Sequence, residues 1–241
     1  MAIPDPVRQL ERDLREIFGG RLRSLVAYGL GGAHDRADHA HTGNHAATHT
    51  MAIVDGLAAD DLRACASRVA AWHGAGLATP LILAAHEFED SLDAFPLEFG
   101  AILADHAIVS GQNPFEGLKV DAADVRRACE VQARSHLLHL REGFLEAKGN
   151  GDALAVLIVR SAAPFAALLM SLARLQRLDA RDPAAVGRQL ERALTVAPAT
   201  VTGIIALASV REIPAADAIR IFPAYLDAVE KLVAFIDGWK A

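Results

Sequence analysis

Histidines are concentrated in one short segment near the start of the chain. Five of the ten histidines fall between residues 34 and 49: His34, His39, His41, His45 and His49. The last three repeat every four residues, a spacing that aligns side chains on one face of a helix. Imidazole is a good ligand for zinc, and a structural zinc site takes four ligands in a tetrahedron. We therefore predict zinc binding by His41, His45 and His49, with Asp35, His34 or His39 as the fourth ligand.

The alternative for this segment is a solvated polar loop whose histidines bind nothing. Gly43 and Asn44 disfavour a stable helix there, and a histidine-rich composition alone is common in unstructured tracts. Both interpretations stay open at the level of the sequence.

A glycine cluster precedes the histidines and offers a different chemistry. Gly29, Gly31 and Gly32 follow Leu22–Tyr28, a run of residues that predicts a β-strand. Backbone N–H groups in such a turn can hold a phosphate, so these glycines are candidates for binding a nucleotide. An ordinary turn between a strand and a loop is the alternative.

Two carboxylates further along the chain are the candidates for catalysis. Asp93 and Glu98 follow a predicted strand at residues 80–84. A carboxylate that faces a cleft can bind a divalent cation through its oxygens. The alternative is structural, with Asp93 capping a turn and Glu98 pairing with an arginine, as most surface carboxylates do.

The elements that position these residues change in character along the chain. A helix at the start is followed by predicted strands at 22–28, 51–54, 80–84, 95–103 and 106–109, with a helix at about 60–73. From Asp121 onward the periodicity is helical, with helices at about 152–178, 183–196, 199–210 and 214–239. Strands followed by helices favour two domains. We predict an α/β domain with a mixed sheet over residues 1–115 and a helical bundle over 116–241.

Composition limits the partners and the compartment. The net charge is -6 and the basic residues are scattered, so we expect no nucleic-acid surface. Cys65 and Cys129 are far apart in sequence, which favours reduced cysteines and a cytoplasmic protein. The most apolar stretch, residues 153–178, contains three arginines and a proline, so we predict a buried helix of the bundle rather than a membrane span.

Four stretches carry a resemblance that extends over nearly the whole chain. They are residues 25–29; residues 80–83 with 87–99; residues 106–115; and, on a later helix, residues 129–130, 137–141 and 144–145. Together they resemble bacterial nucleotidyltransferase-like proteins with a C-terminal helical domain. The second and third stretches are the specific part of this resemblance.

The resemblance implies nucleotidyl transfer from a nucleoside triphosphate with Mg²⁺. In this family a glycine followed by serine ends the first strand and holds the phosphates. The next strand carries two carboxylates one residue apart, and a later strand supplies a third. Alternate residues of a strand share a face, so the two carboxylates can bind one Mg²⁺ that stabilises the charge of the transferred group.

This sequence departs from the family pattern at the central positions. Leu30 replaces the serine after Gly29, and His49 and Met51 stand where the two carboxylates are expected. We therefore expect a nucleotidyltransferase-like protein with a degenerate active site that keeps nucleotide or partner binding. The alternative is an active nucleotidyltransferase that acts on a small molecule or a protein.

A weaker pattern lies in the helical half. Arg134 and His139 have the spacing found in a class of helical-bundle ribonucleases that are often coupled to nucleotidyltransferases. The same two residues also fit the solvated face of an amphipathic helix.

Overall fold

The computed structural model describes residues 3–29, 47–178 and 182–239, and these form two compact units. Among the described residues, the first unit extends to Asp121 and the second begins at Ala122. The first unit thus continues beyond residue 115, the predicted boundary. Phe115 is buried against Phe88, with 5.6 Å between the ring centroids, and Leu118 packs on the same cluster.

The first unit is built on a four-stranded mixed sheet. Its elements are α1 (Asp5–Phe18), β1 (Leu22–Tyr28), β2 (His49–Val54), α2 (Ala59–Ala66), α3 (Val69–Gly74), β3 (Leu81–Ala84), α4 (Ala85–Ser91), α5 (Pro96–Ala104) and β4 (His106–Gly111). The strand order is β3-β2-β1-β4. Strand β1 is antiparallel to both β2 and β4, whereas β2 and β3 are parallel. The predicted mixed α/β class is confirmed.

Helices cover both faces of this sheet, because alternate residues of each strand point to opposite sides. Leu25, Ala27, Ala52 and Val54 pack in one core cluster with residues of α1 and with Trp72 of α3. Residues of the opposite face pack in a second cluster with the phenylalanines of α4, α5 and the segment after β4: Val26, Met51, Phe88, Phe99 and Phe115. The central strands are therefore buried on both faces.

The prediction of a strand at residues 95–103 was wrong, since this segment is helix α5. Pro96 occupies the first helical position, where the missing N–H costs no hydrogen bond and the fixed φ favours a helix. Phe99 and Ile102 then fall three residues apart on the buried face. The predicted helix at 60–73 is interrupted at residues 67–68, which separate α2 from α3.

Ion pairs fix the helices that pack on the Leu25 face of the sheet. Arg21 makes two hydrogen bonds of 2.8 and 2.7 Å to the Asp61 carboxylate, which also accepts from the Ala58 N–H. These bonds lower the pKa of Asp61 to about 2. Between α2 and α3, Arg68 pairs with Asp13 of α1, and the Trp72 indole of α3 donates to the same carboxylate at 2.7 Å.

The second unit is helical throughout its described part. It contains α6 (Ala122–Ala147), α7 (Gly151–Leu175), α8 (Pro183–Ala193), α9 (Thr200–Leu207) and α10 (Ala215–Gly238). Asn150 and Asp182 cap α7 and α8 by accepting hydrogen bonds from the first backbone N–H groups. Pro223 lies inside α10, and the helix is continuous through it. The helical C-terminal part is thus confirmed.

Helix α7 is long and apolar enough to cross a membrane by length and composition. Half of its most apolar 18-residue window is buried inside the structure. Its buried residues include Ile158, Phe165 and Leu169, each at 0% exposure. This burial is compatible with the core helix of a soluble protein, as the charges within the sequence predict.

The close packing of α8 on α9 leads to a first prediction about stability. A Cβ added at Gly187 would lie 2.6 Å from Thr202 Cγ2 and 3.2 Å from the Thr202 Cα. We expect Gly187→Ala to lower the free energy of unfolding by about 1–3 kcal/mol, because the helices must separate to make room. Urea denaturation followed by circular dichroism measures the change.

The matched control is Gly203→Ala on α9. No atom lies within 4 Å of a Cβ at Gly203. This variant should be as stable as the wild type or more stable by up to about 1 kcal/mol, because alanine favours a helix over glycine. Equal destabilisation by both substitutions would contradict the packing argument.

A buried polar network connects three helices of this unit. The Tyr225 hydroxyl donates to the Ser161 carbonyl at 3.2 Å and lies 2.8 Å from His136 Nε2, so that Nε2–H is the donor in the second bond. The His136 ring stacks on Phe165, with 5.3 Å between centroids. Burial, and to a smaller extent the nearby His139, lowers the pKa of His136 to about 4.

This network predicts a loss of stability in mild acid. An unfolded histidine has a pKa near 6.5, so between about pH 6.5 and pH 4 the unfolded chain binds a proton at His136 that the folded chain does not. We expect the free energy of unfolding to fall by up to about 3 kcal/mol over this range, from the shift of the His136 pKa. Urea titrations at a series of pH values measure the fall.

The control for this prediction uses two histidines on the same helix. His136→Gln should flatten the pH dependence between pH 6.5 and 4, because glutamine does not titrate. His139→Gln should leave the dependence close to that of the wild type, since the His139 side chain is mostly exposed. An unchanged slope in His136→Gln would contradict the assignment.

Candidate functional site

Three ring side chains meet at one end of the central strands. In the register of the sheet, Tyr28 on β1 lies opposite His49 on β2 and opposite His106 on β4. The Tyr28 and His49 rings are stacked, with 5.6 Å between their centroids. The His106 ring lies 4.8 Å from the Phe115 ring. We call Tyr28, His49 and His106 the ring row.

Hydrogen bonds fix the orientation of one member of the ring row. His106 Nδ1 lies 3.1 Å from the Ile102 carbonyl and 3.2 Å from the Leu103 carbonyl at the end of α5. Carbonyl oxygens only accept, so Nδ1 carries the proton. The Tyr28 and His106 side chains are half-buried, whereas His49 is 6% exposed. The ring row therefore reaches the surface through Tyr28 and His106.

Of the two positions expected by resemblance to carry carboxylates, His49 belongs to this row and Met51 follows it on β2. His49 and Met51 are one residue apart on β2 and share the face that packs on α4 and α5. Met51 is fully buried in the second core cluster. Within residues 3–29, 47–178 and 182–239, no group of three His, Cys, Asp or Glu side chains is placed to hold a metal ion.

Of the three clustered glycines, the structure describes only Gly29. Gly29 follows β1 with φ of 70°, a conformation that favours glycine. Its N–H donates to the Asp105 carbonyl at 3.2 Å, so this amide already has a partner within the protein. Gly31 and Gly32 lie outside the described residues. Binding of phosphate by this cluster stays a prediction that rests on the other two glycines.

The two candidate catalytic carboxylates lie on the surface of the first unit. Asp93 is exposed in the turn that separates α4 from α5, and Glu98 is exposed in the first turn of α5. Neither belongs to the core cluster beneath the ring row. A catalytic role for either residue stays a hypothesis.

The structure describes one of the three predicted zinc ligands. His41 and His45 lie outside the described residues. His49 is the first residue of β2 and is buried, so the spacing of four does not continue through it as a helix. Zinc binding by the histidine segment therefore stays a prediction, and the one described ligand, His49, is 6% exposed.

Calorimetry with Zn²⁺ tests that prediction. We expect the wild type to bind one Zn²⁺ and the His41→Ala/His45→Ala variant to lose the binding heat, because a structural site needs its full set of four ligands. His73→Ala is the control. This exposed histidine of α3 hydrogen-bonds Thr79 and is not one of the predicted zinc ligands. Equal, weak heats from the wild type and the double variant would identify the histidines as a solvated tract.

The two α6 residues with the ribonuclease-like spacing each contact a carboxylate. The Arg134 guanidinium makes two hydrogen bonds of 2.7 Å to the Asp237 carboxylate of α10. His139 Nδ1 lies 3.4 Å from the Glu142 carboxylate on an exposed face. The more buried histidine of this helix is His136, which is half-buried and which the sequence pattern did not single out.

Sequence reasoning also missed the ring row. Tyr28 and His106 are far apart in sequence, and only the register between β1 and β4 brings them together. The apolar run before Gly29 predicts β1 but gives no information about its partner strands.

No family model matches the chain, and a search of curated proteins finds no match.

Proposed function

We propose that the first unit is a nucleotidyltransferase-like domain with a degenerate active site, which binds a nucleotide without transferring it. The observation that carries this proposal is the chemistry of β2. His49 and Met51 occupy the two alternate positions for which the resemblance implies carboxylates. The proposed family membership rests on the resemblance of the sequence and on the mixed sheet followed by helices.

The ligand chemistry of these two positions argues against Mg²⁺. Magnesium prefers oxygen ligands in a near-ideal octahedron, whereas neutral imidazole and a thioether suit softer metals. Met51 is fully buried and cannot approach an ion in a solvent-accessible cleft. Without an ion between the phosphates, the charge that develops during nucleotidyl transfer has no counter-charge at this position.

The ring row supports a binding role. Tyr28 and His106 are half-exposed at the end of the sheet, and each ring is backed by another ring, His49 and Phe115 respectively. Stacking of a base on an aromatic side chain contributes about 1–3 kcal/mol and needs no metal. The proposed nucleotide would place its base against this row, with its phosphates towards the glycines that follow Gly29.

The proposed setting is the cytoplasm, with a small molecule or a protein as the further partner. Cys65 and Cys129 are free and buried, and burial raises the pKa of Cys129 to about 12. Buried thiols of this kind are inert and compatible with a reducing compartment. The scattered basic residues offer no stripe for nucleic acid.

A fluorescent ATP analogue tests binding and transfer together. We expect it to bind equally with and without Mg²⁺, because no carboxylate pair on β2 recruits the ion. We also expect no transfer of a labelled nucleotide to the protein or to acceptors added with Mg²⁺. His106→Ala should weaken binding about tenfold, the loss expected when one stacked ring is removed.

The control is His73→Ala, an exposed histidine on α3, which packs on the opposite face of the sheet. It should bind the analogue as the wild type does. Transfer that requires Mg²⁺ and is abolished by Asp93→Ala would instead establish an active nucleotidyltransferase. Absence of binding in the wild type would remove the nucleotide from the proposal.

A further inference from the structure

The helical unit contains a half-open depression of about 350 Å³ that is separate from the ring row. One face of α7 forms a wall with Asp152, Val156, Val159 and Arg160, at helical spacing. The other wall is the segment from Arg211 to Ile213, directly before the N-cap of α10. The volume is at the lower end of the range for ligand pockets, so it fits a small molecule.

The charges in this depression are unusual for the chain. Most arginines of the described ranges have a hydrogen-bond or ion-pair partner within the protein. The described arginines without one are Arg8, Arg160, Arg177 and Arg211, and two of these line the same depression. Its two carboxylates, Asp152 and Glu212, also form no ion pair within 4 Å in the described part of the chain. Two cations and two anions therefore face one small space without neutralising one another.

The walls of the depression are held in place by the ends of two helices. Asn150 caps α7 two residues before Asp152, by accepting hydrogen bonds of 2.9 and 3.0 Å from the N–H groups of residues 152 and 153. The start of α7 packs closely on the start of α10, since a Cβ at Gly151 would lie 2.8 Å from Ala215 Cβ. The four charged residues therefore stand on a fixed backbone, which lowers the entropy lost when a ligand binds.

We propose that this depression binds a small zwitterion that carries a carboxylate, an ammonium group and a short aliphatic body. The carboxylate pairs with Arg160 and Arg211, whose guanidinium groups match its geometry. The ammonium pairs with Asp152 and Glu212. The aliphatic body covers Val156 and Val159, which otherwise face solvent. A simple anion or a simple cation would leave two like charges of the protein unpaired beside it.

Methyl NMR of the full chain tests this proposal with two zwitterions, L-leucine and 5-aminopentanoate. We expect at least one of them, at about 10 mM, to shift the methyl signals of Val156, Val159 and Ile213, since even a weak Kd of about 1 mM gives high occupancy. Arg160→Gln and Arg211→Gln should each weaken binding about tenfold, the typical effect of a lost charge-assisted hydrogen bond. Arg8→Gln removes an unpaired arginine of the first unit and should change nothing.

Singly charged analogues test whether binding in the depression requires both charges of the zwitterion. Isovalerate and isopentylamine should bind at least about tenfold more weakly than the zwitterion, and Asp152→Asn with Glu212→Gln should abolish the preference over isovalerate, because the ammonium then has no carboxylate to pair with. Equal binding of isovalerate and the zwitterion would identify a simple anion site and overturn the proposal. The absence of shifts with both zwitterions would overturn it as well. Circular dichroism melting of each variant establishes that the fold is kept.

Discussion

The antiparallel pairing of β1 with β2 and β4 determines where the three side chains of the ring row lie. Because β1 is central, its register on both sides places Tyr28 between His49 and His106. The same pairing buries β1 and β2 on both faces, so a shift by one residue would exchange the two core clusters. The position of the ring row and the packing of the sheet therefore depend on one set of backbone hydrogen bonds.

Local patterns in the sequence predicted the elements of this sheet but not its contacts. The apolar runs that became β1, β2, β3 and β4 are bounded by polar or turn residues, and such boundaries are visible in one dimension. The segment after Phe95 is apolar at almost every position, so its periodicity does not distinguish a buried strand from a buried helix. Pro96 was the signal that favoured the helix, because it fits the first helical position and donates no hydrogen bond to a sheet.

In the candidate site, too, the sequence predicted residue types and elements but not the contacts of individual groups. Gly29 was predicted as a turn residue from its type, and its φ of 70° agrees with that. Its N–H group, however, is bound to the Asp105 carbonyl, a contact that depends on the antiparallel pairing of β1 with β4. In the helical unit, His136 has no sequence feature that separates it from His139. Only the helix packing shows that His136 is half-buried and stacked on Phe165, whereas His139 is exposed.

The burial of β2 gives a physical reason why a degenerate site is compatible with a stable fold. Two carboxylates one residue apart on a strand repel each other and resist burial unless a cation lies between them. All six residues of β2 are buried, including His49 and Met51 at the two alternate positions. An imidazole and a thioether are packed at these positions instead, and the strand contributes to the core through all six of its residues. By resemblance, an active relative would need an ion at the same two positions to offset its carboxylates.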